Sequence, residues 1–170
     1  ARGQDFEAEL SLTLRDASET HKQILNINGK SIRVTIPAGV TNGQRLKLRG
    51  HGGEAPQGGT RGDLYITFRI IPDSTFRLDG HDLHVVTPIL LTTLLLGGDV
   101  TVATLTGNVR IKINPGTQPD SKLRLKGKGF PKFKKEDEKG DLIVSFHLSL
   151  PHSLTSRQKE LIEGLKEMGM

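Results

Sequence analysis

The stretch Ile32-Arg33-Val34-Thr35-Ile36-Pro37-Ala38-Gly39, followed by Gln44-Arg45-Leu46-Lys47-Leu48-Arg49-Gly50-His51-Gly52, returns about 77 residues later. The second copy reads Val109-Arg110-Ile111-Lys112-Ile113-Asn114-Pro115-Gly116, then Ser121-Lys122-Leu123-Arg124-Leu125-Lys126-Gly127-Lys128-Gly129. Each half closes on a related segment, Gly62-Asp63-Leu64-Tyr65-Ile66-Thr67-Phe68 and Gly140-Asp141-Leu142-Ile143-Val144-Ser145-Phe146. Carried backward, the same offset pairs Asp5-Phe6 with Asp82-Leu83. The chain is two copies of one module.

Within each copy the apolar residues alternate, as in Leu10-Ser11-Leu12-Thr13-Leu14 and Leu64-Tyr65-Ile66-Thr67-Phe68. Alternation of period two marks strands with one buried and one wet face. Turn pairs such as Asn28-Gly29, Asn42-Gly43, Asp79-Gly80 and Pro115-Gly116 separate them. One very short helix per copy is expected, around Arg15 to Glu19 and Thr92 to Leu96. After Pro151 the period changes. Thr155 and Gln158 form a capping box, and Leu161, Ile162, Leu165 and Met168 recur at helical spacing. This predicts an amphipathic helix of about a dozen residues, too short to persist without docking on the second module or on another copy of the chain.

The expected fold is therefore mainly β: two tandem homologous small β-sandwich or barrel-like modules plus a C-terminal amphipathic helix. Residues 1–4 read as a linker remnant cut from a longer protein, 5–75 as the first module, 76–151 as the second, and 152–170 as the terminal helix. Modules of about 70 residues are marginal alone, so they should support each other near Pro72 to Phe76.

The chain has 170 residues, 34% of them hydrophobic and 25% charged, with 20 Gly and no Cys. Without cysteine there are no disulfides, thiolate nucleophiles or cysteine zinc sites. That composition suits a reducing, cytoplasmic setting. The apolar run Leu83 to Leu96 is too broken and too short to span a bilayer. No H-E-x-x-H, P-loop or G-x-S-x-G motif occurs, and His81 and His84 lie three apart on a strand, facing opposite sides. No catalytic site, metal or cofactor is expected.

The net charge of +5 is concentrated between Lys122 and Lys139, where eight Lys/Arg stand against three acids. Lys126, Lys128, Lys132, Lys134 and Lys135, with Phe130 and Phe133 between them as stacking groups, are the candidate contacts for nucleic acid. The competing and favoured reading of Lys132 to Lys139, where acids adjoin the bases, is a solvated loop tip.

The paired I-P-A-G-V and G-Q-R-L-K-L-R-G-x-G segments, D-G-H-D-L, L-L-G-G-D-V-T-V-A-T-L-T-G and the closing L-T-S-R-Q-K-E-L-I-E-G-L together resemble the carboxy-terminal region of DnaJ-type heat-shock co-chaperones. The likeness covers nearly the whole chain and implies a module that binds unfolded polypeptide for a DnaK-type ATPase. No H-P-D tripeptide, the mark of the ATPase-stimulating J domain, is present. The absence of Cys implies the zinc-free class, which includes the curved-DNA-binding branch. Carried over by the resemblance, the client groove comprises Ala8 and Leu10, Leu25 and Ile27, and Ile66. Linking two weak grooves would raise apparent affinity, which assigns the terminal helix, through Leu161, Ile162, Leu165 and Met168, to a homodimer. Read without the resemblance, alternating Leu and Ile suit an ordinary sandwich core. Two positions depart from the family pattern: Thr20 replaces a usual glycine and Ala103 a frequent proline. Gln23 stands where a lysine often precedes the groove pair.

Overall fold

The computed structural model describes residues 1–170. The first module contains β1 (Phe6–Leu12), α1 (Leu14–Ala17), β2 (His21–Ile27), β3 (Lys30–Ile36), β4 (Arg45–Leu48) and β5 (Leu64–Ile70). The second contains β6 (Phe76–Asp79), β7 (Asp82–Leu90), α2 (Leu91–Leu96), β8 (Gly98–Thr104), β9 (Gly107–Ile113), β10 (Lys122–Leu125), β11 (Pro131–Lys132), β12 (Lys135–Lys139) and β13 (Leu142–Ser149). Then comes α3 (Ser156–Glu167).

The repeat in sequence is a repeat in topology. In the first module β1 lies parallel to β5, and β4 runs antiparallel on the far side, giving the order β1-β5-β4. The second module repeats this as β7, β13 and β10. Each has a separate hairpin, β2-β3 and β8-β9. The second module alone carries a fourth strand in its main sheet: β6 pairs antiparallel with β7, so the order is β10-β13-β7-β6. The β2-β3 hairpin turns at Asn28 and Gly29, both with positive φ (48° and 81°), the conformation a two-residue hairpin requires.

Asp63 and Asp141 close equivalent loops by the same bonds. Asp63 Oδ1 accepts from the Gly50 amide at 3.0 Å, and Asp141 Oδ1 accepts from Gly127 at 3.0 Å. The amides of Asp63 and Asp141 donate to Asp5 and Asp82, each at 2.7 Å. Arg2 and Arg124 add ion pairs at 2.7 and 2.8 Å. These hydrogen bonds favour the charged form: the Gly50 amide, then nearby Arg2, lowers the Asp63 pKa, and the Gly127 amide with Arg124 lowers that of Asp141. A carboxyl whose folded pKa is depressed contributes stability above its unfolded value of about 3.9, and that contribution fades as pH falls through the folded pKa. Denaturant midpoints should therefore hold level from pH 7 to about 5 and drop below about 4. The double variant Asp63→Asn, Asp141→Asn should flatten that drop, and an unaltered acid profile by equilibrium denaturation would refute the assignment.

A single apolar cluster joins the modules. Leu12, Ile36, Ile66 and Phe68 of the first belong to the same core as Phe76, Leu83, Phe130, Leu142 and Val144 of the second. The junction extends well beyond the expected Pro72 to Phe76. The hairpin β11-β12 reaches across from the second module, and the Lys134 amide donates to the Ala38 carbonyl at 3.0 Å. Phe133 is half-buried against the joint core. Gly39, at φ +89°, admits this approach, because a Cβ there would lie 2.7 Å from the backbone of Lys132 and Phe133. Thr20 serves the same contact: its hydroxyl accepts from Ala38 at 3.0 Å and its amide donates to Glu136 at 2.8 Å. Arg15 donates to the Leu105 carbonyl at 2.7 Å. Seven of the eight residues from Lys132 to Lys139 are exposed, as expected of a solvated tip, and Phe133 alone packs inward. The aromatic ring between the lysines draws the hairpin onto an apolar surface that the local charge pattern does not reveal.

The terminal helix forms with the capping box: Thr155 Oγ1 accepts from the Gln158 amide at 3.1 Å, and Gln158 Oε1 from the Thr155 amide at 2.9 Å. It does not dock on the second module. Every residue of α3 is exposed, including Leu161, Ile162 and Leu165, as is its C-cap Met168.

Candidate functional site

The side chains of β1 alternate cleanly. Phe6, Ala8 and Leu10 are half-buried, whereas Glu7, Glu9 and Ser11 face solvent. On β2, Leu25 and Ile27 are half-buried on the core side, while Ile24, on the opposite face, is 67% exposed. Ala8, Leu10, Leu25 and Ile27 all pack against the one joint core. They form an apolar rim in partial contact with water.

Ile66 differs from the other four. It sits beside Ala8 in the β1-β5 register and opposite Leu46 on β4, and it is fully buried. No client side chain can touch it without displacing the rim. Ile66 belongs to the interior of the joint core against which Ala8 packs, not to the rim.

Two strand edges border this rim. β1 terminates its sheet and β2 terminates its hairpin, so each presents unpaired main-chain groups. In the second module the outer edge of β7 is closed over Asp82 to Val85 by β6. Beyond Val85, β7 has no strand on that side, and β1 has none along its length. At the position of Gln23, the amide lies 2.9 Å from the His21 ring, so that polar group is engaged locally.

An open recess of about 880 Å³, which the sequence did not signal, lies at the junction of the modules. Leu14, Ile70, Ile71, Phe76 and Val86 line it with Arg77 and Lys122. Ile70 ends the alternating strand β5, whereas Ile71 and Pro72 beyond it belong to no periodic pattern.

The basic segment is divided by the fold. Lys132, Lys134 and Lys135 belong to the hairpin that clasps the first module, and Lys134 Nζ lies 5.4 Å from the Phe133 ring centre. Lys126 and Lys128 flank Gly127 in the loop held by Asp141. Phe130 is completely buried, and Phe133 is lodged against the core. Neither aromatic is free to stack on a base, which removes the stacking element of the nucleic-acid reading. No group of three or more acidic or histidine side chains converges to hold a metal. No helix is long and apolar enough to cross a membrane.

Comparison with known proteins points in one direction. A family model described as the DnaJ C terminal domain matches residues 6–151. A chaperone protein DnaJ of Acidithiobacillus ferrooxidans is 41% identical over 140 residues, 82% of this chain and 37% of that protein. The mitochondrial chaperone protein dnaJ GFA2 of Arabidopsis thaliana is 44% identical over 134 residues, 79% of this chain and 29% of its own length. A chaperone protein DnaJ of Deinococcus proteolyticus is 36% identical over 165 residues, 97% of this chain and 51% of that protein. The chain spans between about a third and a half of the length of these relatives.

Proposed function

The chain belongs to the DnaJ C-terminal domain family, and we propose on that premise that it is the client-holding part of a co-chaperone, acting in the cytoplasm. It captures non-native polypeptide on the first module and presents it to a DnaK-type heat-shock ATPase. It is a non-enzymatic device and belongs to the zinc-free class, its β2-β3 hairpin turning in two residues where the zinc-bearing class carries an insertion. A homodimer forms through α3.

The observation that carries this reading is the half-buried rim of Ala8, Leu10, Leu25 and Ile27 beside open strand edges. Extended clients expose alternating side chains, so main-chain hydrogen bonding to an edge supplies sequence-tolerant affinity and the apolar rim supplies selection. If about three client side chains gain roughly 1.5 to 3 kcal/mol each, the gross gain of about 4.5 to 9 kcal/mol is reduced by ordering the client. Affinity per site is then micromolar or weaker. Weak capture with rapid release suits a protein that passes its cargo on.

The test is suppression of aggregation of a chemically unfolded protein, measured over a range of ionic strength. Apolar capture predicts suppression that changes less than about twofold between 50 and 200 mM salt, whereas phosphate contacts would lose orders of magnitude over that interval. Failure to suppress aggregation at any salt would refute the reading.

A further inference from the structure

The rim residues Leu25 and Ile27 stand on a hairpin whose ladder bonds run only within itself, because β2 and β3 form a separate two-stranded sheet. That hairpin is held by side chains packed on the joint core and by bonds at its base, where Thr20 leads into β2 and Ala38 follows β3. A ribbon fixed at one end pivots about that end. The base therefore governs how far Leu25 and Ile27 stand from Ala8 and Leu10 on β1.

Both modules supply the bonds that close this base. From the first, the Gly39 amide donates to the Ala17 carbonyl at 2.8 Å, and the buried Ala38 donates its amide to Thr20 Oγ1 at 3.0 Å. From the second, the Lys134 amide donates to the Ala38 carbonyl at 3.0 Å, and Glu136 Oε1 accepts from the Thr20 amide at 2.8 Å. Phe133 and Lys134 form the two-residue turn of β11-β12, with Lys134 at φ +60°. The Phe133 ring packs on the joint core.

The repeat provides an internal comparison. At the base of β8-β9 the Gly116 amide donates to the Leu94 carbonyl at 2.8 Å, matching the bond from Gly39 to Ala17. The other bonds have no counterpart there. Gly97 stands in the place of Thr20 and has no hydroxyl, and Pro115 stands in the place of Ala38 and has no N–H. A Cβ on Gly116 would meet nothing within 4 Å, whereas one on Gly39 would lie 2.7 Å from the backbone of Lys132 and Phe133. Of the two hairpin bases, the one that carries the rim is clasped from outside its own module.

Resting on the client-holding function proposed above, we propose that the second module sets the width of the first module's client site. The β11-β12 turn holds the base of β2-β3, and Thr20, Gly39 and Glu136 are positioning residues that touch no client. Clasped, the rim is formed before the client arrives, which lowers the ordering cost of capture. Released, the hairpin pivots among many positions and Leu25 and Ile27 draw away from Ala8 and Leu10. If about one released molecule in ten holds the competent spacing, apparent affinity falls about tenfold.

The test reads spacing and capture separately on the whole chain. Because the chain has no cysteine, Ser11→Cys on β1 and Asn26→Cys on β2, both at exposed positions, take nitroxide labels at those sites alone. Pulsed electron paramagnetic resonance then gives the β1–β2 distance without a client. Thr20→Val removes the hydroxyl acceptor, Glu136→Ala removes the carboxylate acceptor, and neither touches the core; Thr20→Ser keeps the hydroxyl. The distance distribution should be narrow in the native chain and in Thr20→Ser, and broad in the double variant Thr20→Val, Glu136→Ala. Fluorescein-labelled, reduced and carboxymethylated lactalbumin should bind the double variant about tenfold more weakly, and Thr20→Ser within about twofold of native. Gly39→Ala, which drives the turn off by bulk, should broaden the distance as well. A distance that the double variant leaves unchanged overturns the clasp, and so does a broadened distance with undiminished binding. A narrow native distance in a chain that binds no client overturns the client-holding function instead.

Discussion

Replacing Leu25 and Ile27 together by serine is expected to abolish suppression of client aggregation. Both side chains lie partly buried on the core side of β2, with less than about a third of each left for a client to meet. Losing that apolar contact at two positions removes about 3 kcal/mol of binding, close to a hundredfold in affinity. From a starting affinity of micromolar or weaker, nothing useful remains. The cost to the fold is about 1 kcal/mol per site, since neither residue is enclosed. Far-ultraviolet circular dichroism and a thermal midpoint would check that cost. Ile24→Ser is the matched control, because Ile24 stands 67% exposed on the other face of the same strand. Suppression that survives the double substitution, or that Ile24→Ser removes equally, would place the client elsewhere.

Truncation after Pro151 is expected to convert dimers to monomers and to weaken capture of long clients by about two orders of magnitude, through lost effective concentration. Leu161, Ile162, Leu165 and Met168 are all exposed, and α3 buries none of its residues against the body of the chain. A helix of 12 residues with an uncovered apolar stripe is marginal by itself, even with its capping box. A second copy of the same helix would cover the stripe. Because α3 touches no core residue, the truncated chain should keep its melting temperature at concentrations where the intact chain is monomeric. Sedimentation showing the truncated chain still dimeric would reject this role for α3.

The elements whose signal is local were legible in the sequence. Alternation placed the paired strands, the repeat joined them into two modules, and Thr155 with Gln158 marked the start of α3. Asp63 and Asp141, set by the repeat at equivalent points of the two copies, close equivalent loops. What escaped depends on distant partners. Ile66 looks like Ala8 or Leu25 in an alternating pattern, since periodicity separates wet from dry faces but not the interior of the core from its rim. β6 is only four residues long and merged with the linker, although it covers the start of β7. The charged residues of the β11-β12 hairpin are solvated as they read, but the surface that Phe133 meets is built by residues far earlier in the chain.

That clasp ties the order of synthesis to the order of folding. The last strand of the first module ends at Ile70, but the hairpin that packs on Ala38 and Gly39 emerges roughly sixty residues later. A nascent first module must therefore wait on the ribosome with part of its apolar surface bare. During that interval the chain itself exposes the kind of apolar surface that the proposed function would have it cover on others.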